Sequence, residues 1–486
     1  MINLKVFFTS ILSLTFYPFL IIGQQQKAAT SDDAIKVDIN LNNKMQAIEG
    51  WGSSLCWWAG QIGSWEESKA DSIVDLITSP DKLNMNIFRY NIGGGDDPSH
   101  IGGHMAKGTI GKRAEMEGFK SSENAPYDWT ADEAQRNIML KIKQKRPDAI
   151  FEAFSNSPPY WMTYSGCSSG NMDPGVDNLK PEYYDAFCNY LIDVCKHYKD
   201  TYGIEFKTLE PFNESTSSNW KYLGRQEGCH FDPETQIKII RLLYPKLKKS
   251  GLKTVISASD EASLEKFIIA LKAYQHTGDI FDKLGQLNTH TYAGTNDQRK
   301  EVHQIIKTVD KEFWQSETGT GSLRNRSTGL KNNLLLAQRM FDDLNLMQPQ
   351  AWLDWQISEN SDIWALIKAD FTKKKFTIIK NMFVRMQVTR FVKQGYSLLE
   401  TGSRSALVAI DKENKKLVVV LNNPEENKRD FLVDLASVGT PDKPVEVYRT
   451  SANEDCKYLP TTNVVRGKIA YSAPALSLTT FLISID

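Results

Sequence analysis

FKTLEPFNES, residues 206–215, alternates apolar and polar side chains and then breaks at Pro211 into a polar Asn-Glu-Ser step. The alternation predicts a short strand, and the residues after it predict a loop. On either side, Pro181–Tyr198 and Pro233–Leu247 carry apolar residues at three- and four-residue spacing, which predicts helices with Pro181 and Pro233 in their first turns. Similar short apolar or β-branched runs lie in Ile48–Ser54, Asn86–Ile92, Ala149–Ser155, Val255–Asp260, Leu287–Tyr292, Phe313–Glu317 and Trp352–Ile357. Glu66–Ile77, Leu264–Tyr274 and Leu330–Leu346 supply further helical periodicity between them. With Phe206–Phe212 the runs number eight, the count that closes a (β/α)8 TIM barrel of parallel strands and helical crossovers.

After about Val392 the pattern changes to short alternating runs, Ala406–Ile410, Lys416–Leu421, Asp430–Leu435, Val445–Tyr448, Lys468–Tyr471 and Leu478–Ile483. They predict an antiparallel β-sandwich. Ala34–Leu41 alternates in the same way, so the expected layout is a catalytic barrel over 45–390 and a side sandwich built from 34–44 plus 391–486. Residues 1–23, with Lys5 ahead of an apolar run, read as an export signal, which places the mature chain outside the cytoplasm, secreted or periplasmic, without a membrane span.

The charge balance, 58 Lys plus Arg against 59 Asp plus Glu, gives no reason to expect nucleic acid as a partner. Six cysteines in 486 residues make no disulfide framework, and no CxxC or HExxH pair points to a metal or other cofactor. Cys188 and Cys195 share a helix face two turns apart, too far to bridge, whereas Cys167 and Cys229 fall in loops that the layout brings near each other, leaving a bridge between them open. His100 and His104 sit in a Gly-rich loop where a spacing of four carries no ligand geometry, and Gly93–Gly95 lacks the Lys-Ser/Thr of a phosphate cradle.

In such a barrel the active site lies at the C-terminal strand ends. These ends are rich in polar groups here: Arg89 and Asn91, Asn156, Asn213 with Glu214, Asp260 with Glu261, His290 with Tyr292, Glu317, and Trp355 with Gln356. Glu214 and Glu317 close the fourth and seventh strands, nearly opposite across the ring, where two carboxyls can flank one glycosidic bond. A lone strand-end Glu is more often solvated or a helix-cap partner; two so placed reverse that preference. Arg89 is expected to hold Glu317 ionised, and His290 and Tyr292, alternate residues on strand six, to face the same side. Trp57, Trp58, Trp161, Trp220, Trp314 and Trp355 cluster near the predicted strand ends and loops, where aromatic faces suit sugar rings.

RYNIGGG (89–95), SNSPPYWM (155–162), LEPFNES (209–215) and WQSETG (314–319) together resemble glycoside hydrolase family 30 over nearly the whole mature chain. The resemblance implies a (β/α)8 barrel with a side β-sandwich and a retaining mechanism, with Glu214 as acid/base and Glu317 as nucleophile. Substrate contacts are expected from Asn213, Arg89, His290, Tyr292, Trp355, Trp58, Asn156 and Trp161, with no metal. GWGSSLCWWAG (50–60), RYNIGGG and RQEGCHF (225–231) are similar to the β-1,6-galactanase branch, which implies endo cleavage of arabinogalactan-type β-1,6-galactan. β-1,6-Glucanase, β-glucosidase or glucosylceramidase-like, and xylanase activities remain alternatives within the family. A non-catalytic sugar-binding barrel would be expected to lack one of the two glutamates, and a metal-dependent isomerase would need more strand-end histidines than His290.

Overall fold

The computed structural model describes residues 33–485 apart from 96, 98–115, 324–328, 412 and 440–441; the predicted export signal and the histidines at 100 and 104 lie outside the described residues. Two short strands come first, β1 (Ile35–Asp38) and β2 (Lys44–Ala47). The barrel follows: β3 (Gly50–Ser54), β4 (Ile87–Asn91), β5 (Ile150–Phe154), β6 (Thr208–Glu210), β7 (Val255–Ser263), β8 (Leu284–Ala293), β9 (Glu312–Glu317) and β10 (Ala351–Gln356). All eight pair in parallel, and β10 returns to β3 to close the ring. Each of the eight predicted runs contributes one barrel strand.

Alternation along the strands separates two environments. On β4, Phe88 and Tyr90 pack outward into the large cluster shared with the helices. Ile87 points the other way, joining Trp314, Ala351 and Leu353 in a small apolar plug. Beyond that plug the interior is polar and fully buried: Arg89, Glu152, Thr208, Ser257, Asp260 and Asn288 are all 0% exposed. Buried charge persists only when paired: Arg89 is paired with Glu152 and Asp260, while burial and these neighbouring carboxylates push the pKa of Glu210, equally buried on β6, well up.

The helices Pro233–Lys249 and Leu264–Thr277 begin as the sequence predicts, while Pro181 opens a 3₁₀ turn that runs into the helix Tyr184–Tyr202. Gly203, at φ +64°, ends that helix in a conformation that a Cβ disfavours. Two crossover helices were not anticipated, Glu133–Lys145 and Asn296–Val309; the second starts in a capping box between Thr295 and Gln298.

Three short strands follow the barrel, β11 (Ser358–Glu359), β12 (Ile367–Asp370) and β13 (Lys375–Ile378), forming a sheet of their own. The helix Lys380–Thr389 then leads to β14 (Ser397–Leu399), β15 (Ala406–Asp411), β16 (Lys416–Asn423), β17 (Arg429–Asp434), β18 (Pro444–Ser451), β19 (Glu454–Asn463), β20 (Lys468–Ala473) and β21 (Ser477–Ser484). Seven strands in the order β19-β18-β21-β16-β15-β14-β2 face the three-stranded sheet β1-β17-β20 across a core that includes Val37, Val408, Phe431 and Phe481. The pairing of β1 with β17 is parallel, whereas β17 and β20 pair antiparallel. Gln387 donates to Thr450 (3.0 Å) and accepts from Thr480 (2.6 Å), tying helix Lys380–Thr389 to the large sheet.

All six cysteines are buried and none is in a disulfide, so Cys167 and Cys229 form no bridge; the Cys229 thiol instead points to the His230 carbonyl at 3.5 Å. Among the described residues, no helix is long and apolar enough to cross a membrane.

Candidate active site

Arg89, one step up β4 from the apolar plug, organises the polar layer. Its Nε donates to Glu152 on β5 (2.8 Å), its Nη1 to Glu317 at the end of β9 (3.0 Å), and its Nη2 to Asp260 on β7. The guanidinium also lies 4.1 Å from the centre of the Phe154 ring. A rigid fork of donors suits this arrangement better than an ammonium could. Buried among three carboxylates, Arg89 is held even more firmly in its charged form than an ordinary arginine, because their attraction outweighs the cost of burial.

Asp260 reaches its place through a break in β7. Its φ is +51°, and the register against β8 shifts between Ser259 and Glu261, the signature of a bulge that re-aims a side chain. Its carboxylate accepts from Arg89 and from the Ser316 hydroxyl, and lies 3.4 Å from His290 Nε2. Burial alone would raise its pKa, but Arg89 and His290 bring it below the usual range.

Glu214 follows β6 with φ +48°, a left-handed turn whose backbone N–H donates to the Asp260 carbonyl (2.8 Å). Trp220 Nε1 donates to the Glu214 carbonyl at 2.7 Å, so the loop is fixed on both sides of the carboxyl. His290 Nδ1 sits 3.1 Å from Glu214 Oε1 and 3.5 Å from Glu317 Oε1. The Tyr292 hydroxyl donates to Glu317 Oε1 at 2.8 Å. His290 and Tyr292 therefore do face one side of β8 and meet the two glutamates.

One oxygen each of Glu214 and Glu317 and a ring nitrogen of His290 all lie within 4.8 Å of one another. Burial pushes the Glu317 carboxyl up to about 7, and the Glu214 charge adds to the rise, while His290, Arg89 and Tyr292 pull against it. Burial opposes a charge on His290, yet Glu317 and Asp260 raise its pKa to about 10, so the ring is an imidazolium at neutral pH. Two carboxyls this close, on either side of one cation, are spaced as a retaining glycosidase needs for an acid and a nucleophile.

The remaining predicted residues divide. Asn213 is buried beside Glu214, and its Oδ1 has no hydrogen-bond partner among the described residues. Asn156 is buried at the end of β5 and donates from Nδ2 to Asn91 Oδ1 (3.1 Å). Trp355 is half-buried and meets Trp57 edge to face at 5.6 Å, forming an aromatic corner near β10. Trp58 does not join it: the ring is fully buried in the core and its Nε1 donates to the Ser54 carbonyl (2.8 Å), leaving no face for a ligand. Trp161 stands on the loop after β5, donating to the Lys120 carbonyl (2.9 Å) and packing edge to face on Tyr183. Trp314 belongs to the apolar plug and donates to Glu49, at the opposite end of the barrel from the glutamates.

Four residues had no role assigned from sequence: Glu152, Asp260, Glu227 and Trp364. Glu152 signals itself as a charge within the apolar run IFEAF. Trp364 packs edge to face on Tyr292 at 6.1 Å and covers Gly321, where an added Cβ would come 1.8 Å from the ring.

A family model described as O-glycosyl hydrolase family 30 matches residues 34–308. An endo-β-1,6-galactanase from Hypocrea rufa is 31% identical over 420 residues, covering 84% of each chain. An exo-β-1,6-galactobiohydrolase from Bifidobacterium longum is 25% identical over 427 residues, covering 68% of this chain and 28% of that much longer one. Among solved structures, a conserved exported protein from Bacteroides fragilis superposes with a TM-score of 0.77 at 18% identity, covering 92% of this chain and 99% of the other. With its barrel, its paired glutamates and these relatives, the chain belongs to O-glycosyl hydrolase family 30 and is an O-glycoside hydrolase.

Proposed function

We propose that the chain is an exported endo-β-1,6-galactanase that retains anomeric configuration, with Glu317 as nucleophile and Glu214 as acid/base. The observation that carries the mechanism is the closeness of the two carboxyls, whose oxygens approach within 4.8 Å around one imidazolium. Retaining enzymes hold their carboxyls about 5–5.5 Å apart, whereas inverting ones need about 6.5–9.5 Å to admit a water. In the first step Glu317 attacks the anomeric carbon while Glu214 gives its proton to the departing glycosidic oxygen. In the second, Glu214 takes a proton from water, whose oxygen displaces Glu317 and restores the starting protonation.

Arg89, His290 and Tyr292 hold Glu317 in position and oppose the effect of burial on its charge. Asn213, with an unpaired buried oxygen, is the candidate partner for the sugar 2-hydroxyl, a contact that strengthens as positive charge develops on the ring. The sugar and linkage rest on relatives: both curated proteins described above are named for β-1,6-galactosyl substrates. Export rests on the apolar segment at 6–23.

Digestion of de-arabinosylated β-1,6-galactan, followed by NMR of the fresh products, tests the reading. Oligosaccharides of several lengths, released first as β-anomers, are expected. Monosaccharide or disaccharide alone would overturn endo action, and initial α-anomers would overturn retention. Activity on β-1,6-glucan or xylan at least about tenfold higher, about 1.4 kcal/mol in transition-state terms, would overturn the substrate.

A further inference from the structure

Glu227, in the loop after β6, reaches back across the barrel mouth to the loop after β4. It is fully buried; one carboxylate oxygen accepts from the Gly94 backbone N–H (2.8 Å) and the other from Asn91 Nδ2 (2.9 Å). With its nitrogen thus committed, Asn91 turns Oδ1 toward Asn156, where it accepts from both the backbone N–H and the side-chain Nδ2, each at 3.1 Å. The Asn156 amide nitrogen also lies 3.9 Å from Cys56 Sγ, so both its hydrogens are directed into the protein. The direction of this chain is forced, because a carboxylate only accepts and an amide has one donating and one accepting end. Its far end is therefore an acceptor, Asn156 Oδ1, which is buried and has no partner among the described residues. A buried carbonyl left without a donor has lost its hydration with nothing to replace it, so it favours a ligand that donates to it.

The place of that acceptor follows from its strands. Asn91 lies two residues beyond Arg89, the residue that holds Glu317, and Asn156 two beyond Phe154, on whose ring the guanidinium rests. β5 pairs with both β4 and β6, so Asn156 ends the strand beside the Asn213–Glu214 loop; a sugar set with C1 between the two glutamates and O2 at Asn213 would turn its C4 edge toward that strand. We propose that Asn156 Oδ1 accepts a hydrogen bond from the axial 4-hydroxyl of the galactosyl unit being cleaved, with Asn91 and Glu227 as positioning residues that fix the acceptor's direction. This rests on the galactosyl reading above. It gives the axial hydroxyl a partner that an equatorial one, turned out of that direction, would not satisfy.

The test compares kcat/KM on 4-nitrophenyl β-1,6-galactobioside with that on the analogue lacking the 4-hydroxyl of the ring next to the aglycone, and with the 3-deoxy analogue. The wild type is expected to prefer the parent over the 4-deoxy compound by at least about tenfold. Asn156→Ala should bring that ratio to within about threefold of one, chiefly by slowing the parent. In Glu227→Gln the Gly94 N–H keeps the side-chain oxygen, so Nε2 confronts Asn91 Nδ2, donor against donor; the ratio should fall at least about threefold while the 4-deoxy rate changes less than about twofold. Asn156→Ala keeps the test decisive should Glu227→Gln not fold. If both variants slow parent and 4-deoxy analogue equally, or if the change appears on the 3-deoxy analogue instead, the 4-hydroxyl assignment fails while the galactanase reading stands. A wild type that prefers the gluco-configured bioside overturns both.

Discussion

Replacing Tyr292 by Phe removes one hydrogen bond and leaves the ring. The hydroxyl donates to Glu317 Oε1 at 2.8 Å, and the ring packs edge to face on His290 at 5.9 Å and on Trp364 at 6.1 Å. Phenylalanine preserves both ring contacts, so in a chain of this size the thermal midpoint should fall by only a few degrees. A hydrogen bond to a charged group contributes about 1.5–3 kcal/mol, and one pKa unit corresponds to about 1.36 kcal/mol. The hydroxyl favours the ionised carboxylate, so its loss raises the Glu317 pKa, by about one to two units. Burial already pushes that carboxyl up to about 7 in the wild type, so the acid limb of kcat/KM should move from near neutrality to clearly alkaline pH. The plateau above the limb should fall less than about tenfold, because the carboxylate surrenders its charge in the transition state and the lost bond stabilised mainly the resting anion. The assay is kcat/KM against pH on an activated aryl β-galactobioside, with a thermal melt as control. An acid limb that stays put or moves to lower pH in a variant that still melts within a few degrees of the wild type would refute the reasoning.

The two glutamates are separable by azide rescue: Glu317→Gly should yield an α-glycosyl azide and Glu214→Ala a β-glycosyl azide, and reversed configurations would exchange their roles. Trp220→Phe removes the 2.7 Å bond to the Glu214 carbonyl, worth about 1 kcal/mol or about fivefold in rate; the loss should appear with poor leaving groups and nearly vanish with 2,4-dinitrophenolate, and equal loss on both would exclude a role for Trp220 in placing the acid. Dialysis against EDTA should leave activity intact, because Arg89 and His290 already supply the positive charge at both carboxyls; loss reversed by one particular divalent ion would contradict this.

The barrel was legible because strands buried on both faces read as apolar runs, and even β6, three residues long, is marked by the break at Pro211. What escaped was structure held by other means. Asn296–Val309 carries an apolar stripe of only four residues, Val302, Ile305, Ile306 and Val309, in an otherwise polar segment, and of these only Val302 is fully buried; the helix is held as well by the Arg299–Asp343 ion pair (2.7 Å). β19 is largely exposed along its length and carries no clean alternation. The adjacent Trp57 and Trp58 could not be told apart in sequence; the helix that starts at Trp58 turns its ring into the core and leaves Trp57 against Trp355.

The site itself was legible in proportion to how local it is. Glu214, Glu317, His290 and Tyr292 declare themselves by ending strands, but the position of Asp260 depends on a left-handed residue within a bulge, and that of Glu227 on a loop crossing from β6 to β4. Glu152 is intermediate. A carboxylate at the centre of IFEAF cannot be buried unpaired without a cost of several kcal/mol, so the run itself demands a cation from a neighbouring strand. Parallel pairing of β4 with β5 sets Arg89 beside Glu152 in register, and Arg89 is the arginine of RYNIGGG. The same guanidinium then reaches Asp260 and Glu317, so the strand-to-strand register that builds the barrel also fixes the cation that holds the proposed nucleophile.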